Sequence, residues 1–225
     1  MPPAATLTEP PSLDELRERV TRMQGRPAAQ PVATHPALSG LLQMQTGATY
    51  GVESASLAAL LLAGPSADGA WCGVVGSPDR HGVGLGLEAA AAAGVELSRT
   101  ILVPDPGAAW LEVTAALVDV LGVVLVRPSD EVRAGAAAKL AARLRQRGST
   151  LVVWGNWPRC EARLGLADVE WSGLGRGHGH LQARQATVEV RRGTAPPVSR
   201  RLWLPDPDLR IRPVDVQPGR LRRVS

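Results

Sequence analysis

A chain of 225 residues is long enough for one α/β domain with a substantial core and short flanking segments. Phe is absent and Tyr occurs once, so this core must be built from Ala, Leu and Val, with a few Trp residues as large wedges. No stretch is apolar enough to span a bilayer, and no charged start followed by an apolar run marks a signal peptide. The two cysteines, Cys72 and Cys160, lie far apart in the sequence. Together these features predict a protein of the reducing cytoplasm.

The net charge is small but unevenly placed. It is +4 overall, while the residues from Arg176 onward carry 11 Arg against 4 acidic residues, a net +7. The residues before Arg176 carry 14 basic and 17 acidic side chains, a net −3. A basic C-terminal third is typical of a protein with an acidic partner, either nucleic acid or protein, and equally of a solvated basic tail.

The N-terminal region predicts one helix between two unstructured segments. Residues 1–11 are Pro-rich and predict a disordered leader. The capping box Ser12-x-x-Glu15 then opens a helix over residues 12–23, with apolar residues at helical spacing. Residues 25–36 predict a linker, after which a short helix runs to Leu42.

The centre of the chain alternates strand-like and helical patterns. The predicted strands are residues 48–52, 71–76, 100–103, 122–126 and 150–154, and the predicted helices are residues 55–63, 84–93, 108–120 and 130–147. The strand at 123–126 is continuously apolar, as expected of a strand buried on both faces. Strand–helix alternation with short connections predicts a parallel sheet flanked by helices.

The C-terminal third has a different pattern. The Gly-rich stretch 171–180 predicts a mobile loop. Residues 181–192 predict a strand with Ala186, Val188 and Val190 on one face, residues 193–197 a turn, and residues 198–204 the returning strand of a β-hairpin. From Pro205 onward the abundance of Pro, Asp and Arg predicts an extended tail.

This order of elements resembles the core domain of RecA-type recombinases. Residues 179–192 are similar to the RecA strand that leaves the second DNA-binding loop, and residues 151–157 are similar to the strand before that loop. Several short sequence segments also resemble the short actinobacterial ImuA-type accessory proteins of mutagenic DNA repair. They are residues 57–64, 71–76, 102–107 with Trp110, and 202–205. The resemblance covers residues 38–205.

The resemblance implies an α/β fold with a RecA-like core, a mainly parallel, helix-flanked sheet and a C-terminal β-hairpin. Residues 1–34 would form the leader and helix, residues 35–205 the RecA-like core domain, and residues 206–225 a basic, extended tail. An N-terminal helix of this kind docks either on its own core or on a neighbouring copy, so the oligomeric state stays open.

The residues that such a fold needs for ATP hydrolysis are missing. A phosphate loop requires G-x-x-x-x-G-K-[ST] between the first strand and its helix, and only Glu53 and Ser54 stand there. The single Lys of the chain, Lys139, lies inside a predicted helix. Arg127 follows the strand at 123–126, where a Mg²⁺-orienting acid is required. The sequence therefore predicts a protein that is not an enzyme and holds no cofactor.

A vestigial nucleotide site would consist of Glu53, Ser54, Asp79 and Arg127. Asp79 lies next to the position at which the family's catalytic carboxylate would fall. Trp157 occupies the position of the residue that senses nucleotide.

The Gly-rich loop lies where RecA proteins bind DNA. Its candidate DNA contacts are Arg176, His178, His180 and Arg184, since Arg in a Gly-rich loop can follow a phosphate backbone. The alternative is an ordinary mobile loop that has lost this role. His178 and His180 are too few for a metal site, and none is predicted.

The resemblance implies a non-catalytic adaptor in DNA-damage-induced mutagenesis, the SOS-linked form of translesion synthesis. The implied partners are an ImuB-type, Y-family-related scaffold and an error-prone DnaE-type polymerase, with the protein joining the nucleoid when in complex. The candidate contact residues are Trp203, Arg210, Arg212, Arg220, Arg222 and Arg223. The alternatives are a RecA-related inhibitor of cell division, a DNA-binding protein that uses the Gly-rich loop and the basic tail, and an active ATPase.

Overall fold

The computed structural model describes residues 28–76, 84–174 and 179–215. The predicted helix over residues 12–23 lies outside these ranges. So do several predicted site residues: Asp79, Arg176, His178, Arg220, Arg222 and Arg223.

The described residues form helices and strands in nearly the predicted order. The strands are β1 (Pro31–Val32), β2 (Met44–Gln45), β3 (Thr49–Val52), β4 (Cys72–Val75), β5 (Thr100–Val103), β6 (Val123–Val126), β7 (Thr150–Trp154), β8 (Ala162–Leu174), β9 (Gly179–Arg191), β10 (Val198–Trp203) and β11 (Arg212–Pro213). The α-helices are α1 (Ala55–Ala67), α2 (Leu87–Ala92), α3 (Trp110–Val118) and α4 (Ala134–Arg147). Single 3₁₀ turns lie at Pro36–Leu38, Leu97–Arg99 and Gly107–Ala109. The five central strands and the helices that follow them are thus confirmed, with ends that differ by a few residues.

Nine strands form one sheet in the order β11-β10-β9-β8-β3-β7-β6-β4-β5. The strands from β8 through β3, β7, β6 and β4 to β5 are parallel neighbours. The strands β8, β9, β10 and β11 pair antiparallel, so the predicted C-terminal hairpin is confirmed. The chain is therefore a mixed α/β protein with a large, mainly parallel sheet. The short strands β1 and β2 pair separately. Strand β1 lies inside the predicted linker, and β2 follows the predicted short helix, of which the 3₁₀ turn Pro36–Leu38 forms.

Helices cover both faces of the parallel part of the sheet. Residues of α1 and α2 pack with Val123 and Leu125 in one core cluster. Residues of α3 and α4 pack with Val124 and Val126 in the other cluster. Consecutive residues of β6 thus enter opposite cores, which explains its continuously apolar sequence.

The close approach of α1 to the N-terminal segment requires glycine. A Cβ added at Gly64 would lie 2.6 Å from the backbone nitrogen of His35 and 2.7 Å from the carbonyl oxygen of Ala33. Because a larger residue would push the two segments apart, Gly64 lets the chain before the 3₁₀ turn pack directly on the helix.

The prediction of a mobile loop over residues 171–180 is wrong for residues 171–174 and 179–180, which the structure describes. Trp171–Leu174 belongs to β8, and Gly179 and His180 belong to β9. Each of these strands has 13 residues, and their outer halves form an antiparallel arm beyond the parallel sheet. At the inner end of β9, Ala186, Val188 and Val190 are buried on one face as predicted.

The chain after Pro205 turns back onto the sheet instead of extending away. Asp206 is 2% exposed, and its carboxylate accepts hydrogen bonds from the backbone N–H groups of Asp208 and Arg210, both at 2.9 Å. Strand β11 then pairs with Leu202 and Trp203 of β10. Residues 206–215 are therefore folded, in contrast to the extended tail that their composition predicts. None of the helices among the described residues is long and apolar enough to cross a membrane.

Candidate functional site

Parallel strands present their carboxyl ends at one edge of the sheet, where α/β proteins generally bind ligands. Here β3 ends at Val52 and α1 begins at Ala55, so Glu53 and Ser54 form the whole connection, as predicted. The Ser54 hydroxyl accepts a hydrogen bond from the backbone N–H of Leu57 at 3.3 Å. This cap satisfies a donor of the first helical turn that a phosphate loop would leave open.

Arg127 lies at the same edge, directly after β6. Its backbone N–H donates to the carbonyl of Val75 at 2.9 Å, and its guanidinium carbon lies 4.3 Å from the centre of the Trp154 ring. Gly76 has a φ of +107°, and a Cβ there would lie 2.5 Å from the carbonyl oxygen of Arg127. The structure therefore places a cation on an aromatic ring at the carboxyl end of β6, where the resemblance to RecA-type proteins would require a Mg²⁺-orienting acid.

Glu53 lies against β8 on the other side of β3. A Cβ added at Gly165 would lie 2.8 Å from the Glu53 carboxylate oxygen. Since β7 separates β3 from β6, Glu53 and Arg127 are about 10 Å apart by strand spacing. Trp157 is buried in the α3–α4 core and does not face this edge. Of the predicted nucleotide site, the structure brings Glu53, Ser54 and Arg127 to one edge of the sheet, with Glu53 against β8 and Arg127 against Trp154.

The predicted DNA contact Arg184 points into the protein. Its Nη2 donates to the Ser56 hydroxyl at 2.6 Å, and its Nε donates to the carbonyl of Leu204 at 2.8 Å. The guanidinium carbon lies 5.2 Å from the centre of the Trp171 ring. Burial lowers the pKa of Arg184 from its ordinary value. His180, the other described member of this set, is exposed on the arm.

Arg184 borders a pocket that the sequence pattern does not indicate. The pocket holds about 230 Å³ and lies between the first turn of α1, helix α2 and the chain that follows β10. Six alanines and five larger apolar residues form most of its walls. The lining residues used below are Ser56, Ala59, Ala89, Arg184, Leu204 and Ile211. They come from separate parts of the chain, so no local motif marks them.

The described residues of the predicted partner surface are held by internal contacts. Arg212 Nε donates to the Asp206 carboxylate at 2.7 Å, and the Arg212 guanidinium carbon lies 6.0 Å from the centre of the Trp203 ring. The Arg212 guanidinium, together with the N–H groups of Arg210 and Asp208, lowers the pKa of Asp206. The side chain of Arg210 is exposed and has no hydrogen bond or ion pair within the described part of the chain.

The cysteines lie in apolar surroundings. Cys72 is buried in β4, and burial raises the pKa of its thiol to about 11. Cys160 is half-buried against the α3–α4 core, and burial raises the pKa of its thiol. Within residues 28–76, 84–174 and 179–215, no group of three His, Cys, Asp or Glu side chains could hold a metal ion.

The family model of the MT3502 N-terminal domain matches residues 36–159. This chain belongs to that family. The uncharacterized protein Rv3395c of Mycobacterium tuberculosis is 37% identical to the chain over 143 residues, which cover 57% of this chain and 68% of the relative. The MT3502 N-terminal domain contains the central parallel strands and all four described helices, and it ends before the arm. The pocket beside Arg184 is therefore built partly from this domain and partly from the chain that follows it.

Proposed function

We propose that the chain is a non-catalytic adaptor with a RecA-like core, and that it acts in DNA-damage-induced mutagenesis. Its proposed partners are an ImuB-type scaffold and, directly or through that scaffold, an error-prone polymerase. Both partners and the process are implied by the short sequence segments that resemble ImuA-type proteins. The proposal places the protein with the nucleoid when it is in complex.

One observation carries the non-catalytic part of this proposal. Two residues, Glu53 and Ser54, connect β3 to α1, and the Ser54 hydroxyl caps the helix. A phosphate loop needs several backbone N–H groups arranged around the phosphates and a Lys side chain beside them. The only Lys, Lys139, is exposed in α4 on the far side of the sheet from α1. A positive Arg127 at the carboxyl end of β6 would also repel Mg²⁺.

The order of the elements supports the RecA-like part of the proposal. Units of strand and helix build the parallel sheet, and the antiparallel strands β8 to β10 follow them at one side. This is the order on which the resemblance to RecA-type recombinases rests.

Nucleotide chemistry gives the first test. We expect the purified full chain to show no ATP binding by isothermal titration and no phosphate release with Mg²⁺, with or without single-stranded DNA. Turnover that Glu53→Gln or Ser54→Ala abolishes would overturn the proposal, because it would mean that this edge of the sheet forms a working site.

A gene deletion tests the biological role. We expect the deletion to lower the frequency of mutations induced by ultraviolet light, and the wild-type gene to restore it. An unchanged mutation frequency would refute the adaptor role. Filamentous cells on overexpression, with mutagenesis unaffected, would favour an inhibitor of cell division.

A further inference from the structure

The pocket beside Arg184 combines apolar walls with one half-buried cation. We propose that it is a docking site for an acidic segment of a partner protein. In this proposal one apolar side chain of the segment fills the pocket, and a neighbouring carboxylate pairs with Arg184. The inference deepens the adaptor function proposed above, on which it rests, because it names the surface and the chemistry of the bound segment.

The size of the pocket fits one side chain. Its volume of about 230 Å³ is below the range of about 300–1,000 Å³ that is usual for small-molecule sites. Ala59 and Ala89 line it from the helices, and Leu204 and Ile211 line it from the chain after β10. Apolar pockets of this size that receive one anchoring side chain are typical of the energetic centres of protein interfaces.

The charge at the rim favours a carboxylate. Arg184 uses its Nε and one Nη donor for Leu204 and Ser56, while a guanidinium has five N–H donors. In the described part of the chain, no carboxylate oxygen lies within 4 Å of it. A partly desolvated guanidinium gains strongly from an ionic hydrogen bond, which an arriving carboxylate would supply.

The first turn of α1 adds to the positive field at the same place. Ser56 lies in that turn, and α1 has 13 residues and no acidic residue in its first turn. The partial positive charge of a helix N-terminus therefore acts in the same direction as Arg184. A nucleic-acid phosphate could meet this charge, but it would leave the alanine-lined walls exposed to water. The combination thus favours an acidic protein segment with an apolar residue.

Two tryptophan variants of α2 distinguish binding in the pocket from binding elsewhere on the surface. Ala89 and Ala91 are both exposed residues of this helix, and only Ala89 lines the pocket. Ala89→Trp places a large side chain where the segment would insert, whereas Ala91→Trp makes the same chemical change outside the pocket. Both variants should have the thermal midpoint of the wild type within a few degrees.

The probe is a phage-displayed library of random dodecapeptides, selected against the full-length chain. We expect the enriched peptides to carry Leu, Ile, Met or Phe beside Asp or Glu. Their synthetic forms should bind about tenfold more weakly to the Ala89→Trp variant by fluorescence anisotropy, a loss of about 1.4 kcal/mol, and as tightly as wild type to Ala91→Trp. Enriched peptides without acidic residues, equal binding to both variants, or no enrichment at all would overturn the proposal.

A second pair of variants tests the charge. Arg184→Gln and Arg191→Gln remove the same charge from β9, but Arg191 is an exposed residue paired with Glu189. We expect Arg184→Gln to weaken the binding of the acidic peptides and Arg191→Gln to leave it unchanged. Peptides with Asn and Gln in place of the acidic residues should bind both variants equally. Displacement of the bound peptide by single-stranded oligothymidine at low salt would instead assign the site to nucleic acid.

These results are independent of the deletion phenotype. If peptides bind the pocket while induced mutagenesis is unchanged in the deletion strain, the docking site stands and the role in mutagenesis fails. If the deletion lowers induced mutagenesis while the selected peptides bind Ala89→Trp and Arg184→Gln as tightly as the wild type, the adaptor function stands and this docking site fails.

Discussion

At the scale of single residues, burial changes sharply along one strand of the arm. Leu164 near the start of β8 is fully buried, whereas Leu174 at its end is 66% exposed. The first packs between the sheet and its helices, and the second lies where the arm extends beyond the core. The same residue type therefore has two different energetic roles within 13 residues.

We predict that Leu164→Ala lowers the free energy of unfolding by about 2–5 kcal/mol, because it leaves a cavity in the core. The matched variant Leu174→Ala should change it by less than about 0.5 kcal/mol, since that side chain is already in water. Urea denaturation of both variants measures the difference. Equal losses in the two variants would mean that the arm is packed along its whole length.

Single site residues could be predicted only where their neighbours are close in sequence. Ser54 and Arg127 lie at the predicted edge of the sheet, because each comes within two residues of the end of a strong strand signal. Arg184 was assigned to a DNA loop, and the assignment missed its true partner because Ser56 lies 128 positions earlier in the chain. The pocket that these two residues border was missed for the same reason.

At the scale of elements, a cluster of charges joins the end of α3 to the last turns of α4. The Asp119 carboxylate, after α3, accepts hydrogen bonds from Arg143 at 2.5 Å and from Arg147 at 3.1 Å. The hydrogen bond from Arg143 is the main reason that the pKa of Asp119 is lowered to about 2. Two helices on the same face of the sheet are thereby connected at their C-terminal ends.

We predict a pH-dependent effect for Asp119→Asn. A carboxyl with a lowered pKa contributes stability above its unfolded pKa, about 3.8, and loses this contribution as the pH falls through its folded pKa, about 2. The variant should therefore have a lower urea midpoint than the wild type at neutral pH, and the difference should shrink steadily below about pH 4.

The control is Asp105→Asn, which changes an exposed carboxylate without an ion pair in the described residues. Its midpoint should match that of the wild type at every pH. A difference for Asp119→Asn that stays constant down to acid pH would show that the arginines do not bind the carboxylate in solution.

The elements with a buried face were predicted correctly, and the arm was not. The strands β3, β4, β6 and β7 are buried over nearly their whole length and carry apolar runs, as expected of strands covered on both faces. The edge strand β5 is also apolar, although Ile101 and Leu102 are exposed. The outer half of β8 contains Glu170, Ser172 and Gly173 and is exposed, so it has no alternating apolar pattern. It is a strand because β9 pairs with it through backbone hydrogen bonds, which do not depend on side-chain type.

At the scale of the whole molecule, the boundary of the folded part lies later than composition indicates. Ile211 packs against the main core, and β11 adds a ninth strand to the sheet. The buried Asp206 organises the turn that makes this return possible. Any partner surface placed on the C-terminal segment therefore has a folded part up to residue 215.

We predict that truncation after Asp215 leaves the thermal midpoint within about 2 °C of the full chain. Truncation after Pro205 should lower it by several degrees, since about 1 kcal/mol shifts the midpoint of a domain of this size by about 2–4 °C. Differential scanning fluorimetry of the two truncations tests this. Loss of partner binding in the variant that ends at Asp215, with its thermal midpoint unchanged, would assign that binding to residues 216–225, free of any effect on folding.

The position of β3 in the sheet sets the order in which the protein can assemble on the ribosome. Its two neighbours are β7 and β8, and the first pair, Thr49 with Leu151, joins residues 102 positions apart. At about 5–20 residues per second, roughly 5–20 s of synthesis separate this strand from its first native partner. During that interval β3 and the apolar helix α1 have only the chain between them, or a chaperone, to cover them. Among the described strands of the sheet, the central one is thus the first to be made and waits longest for its first partner.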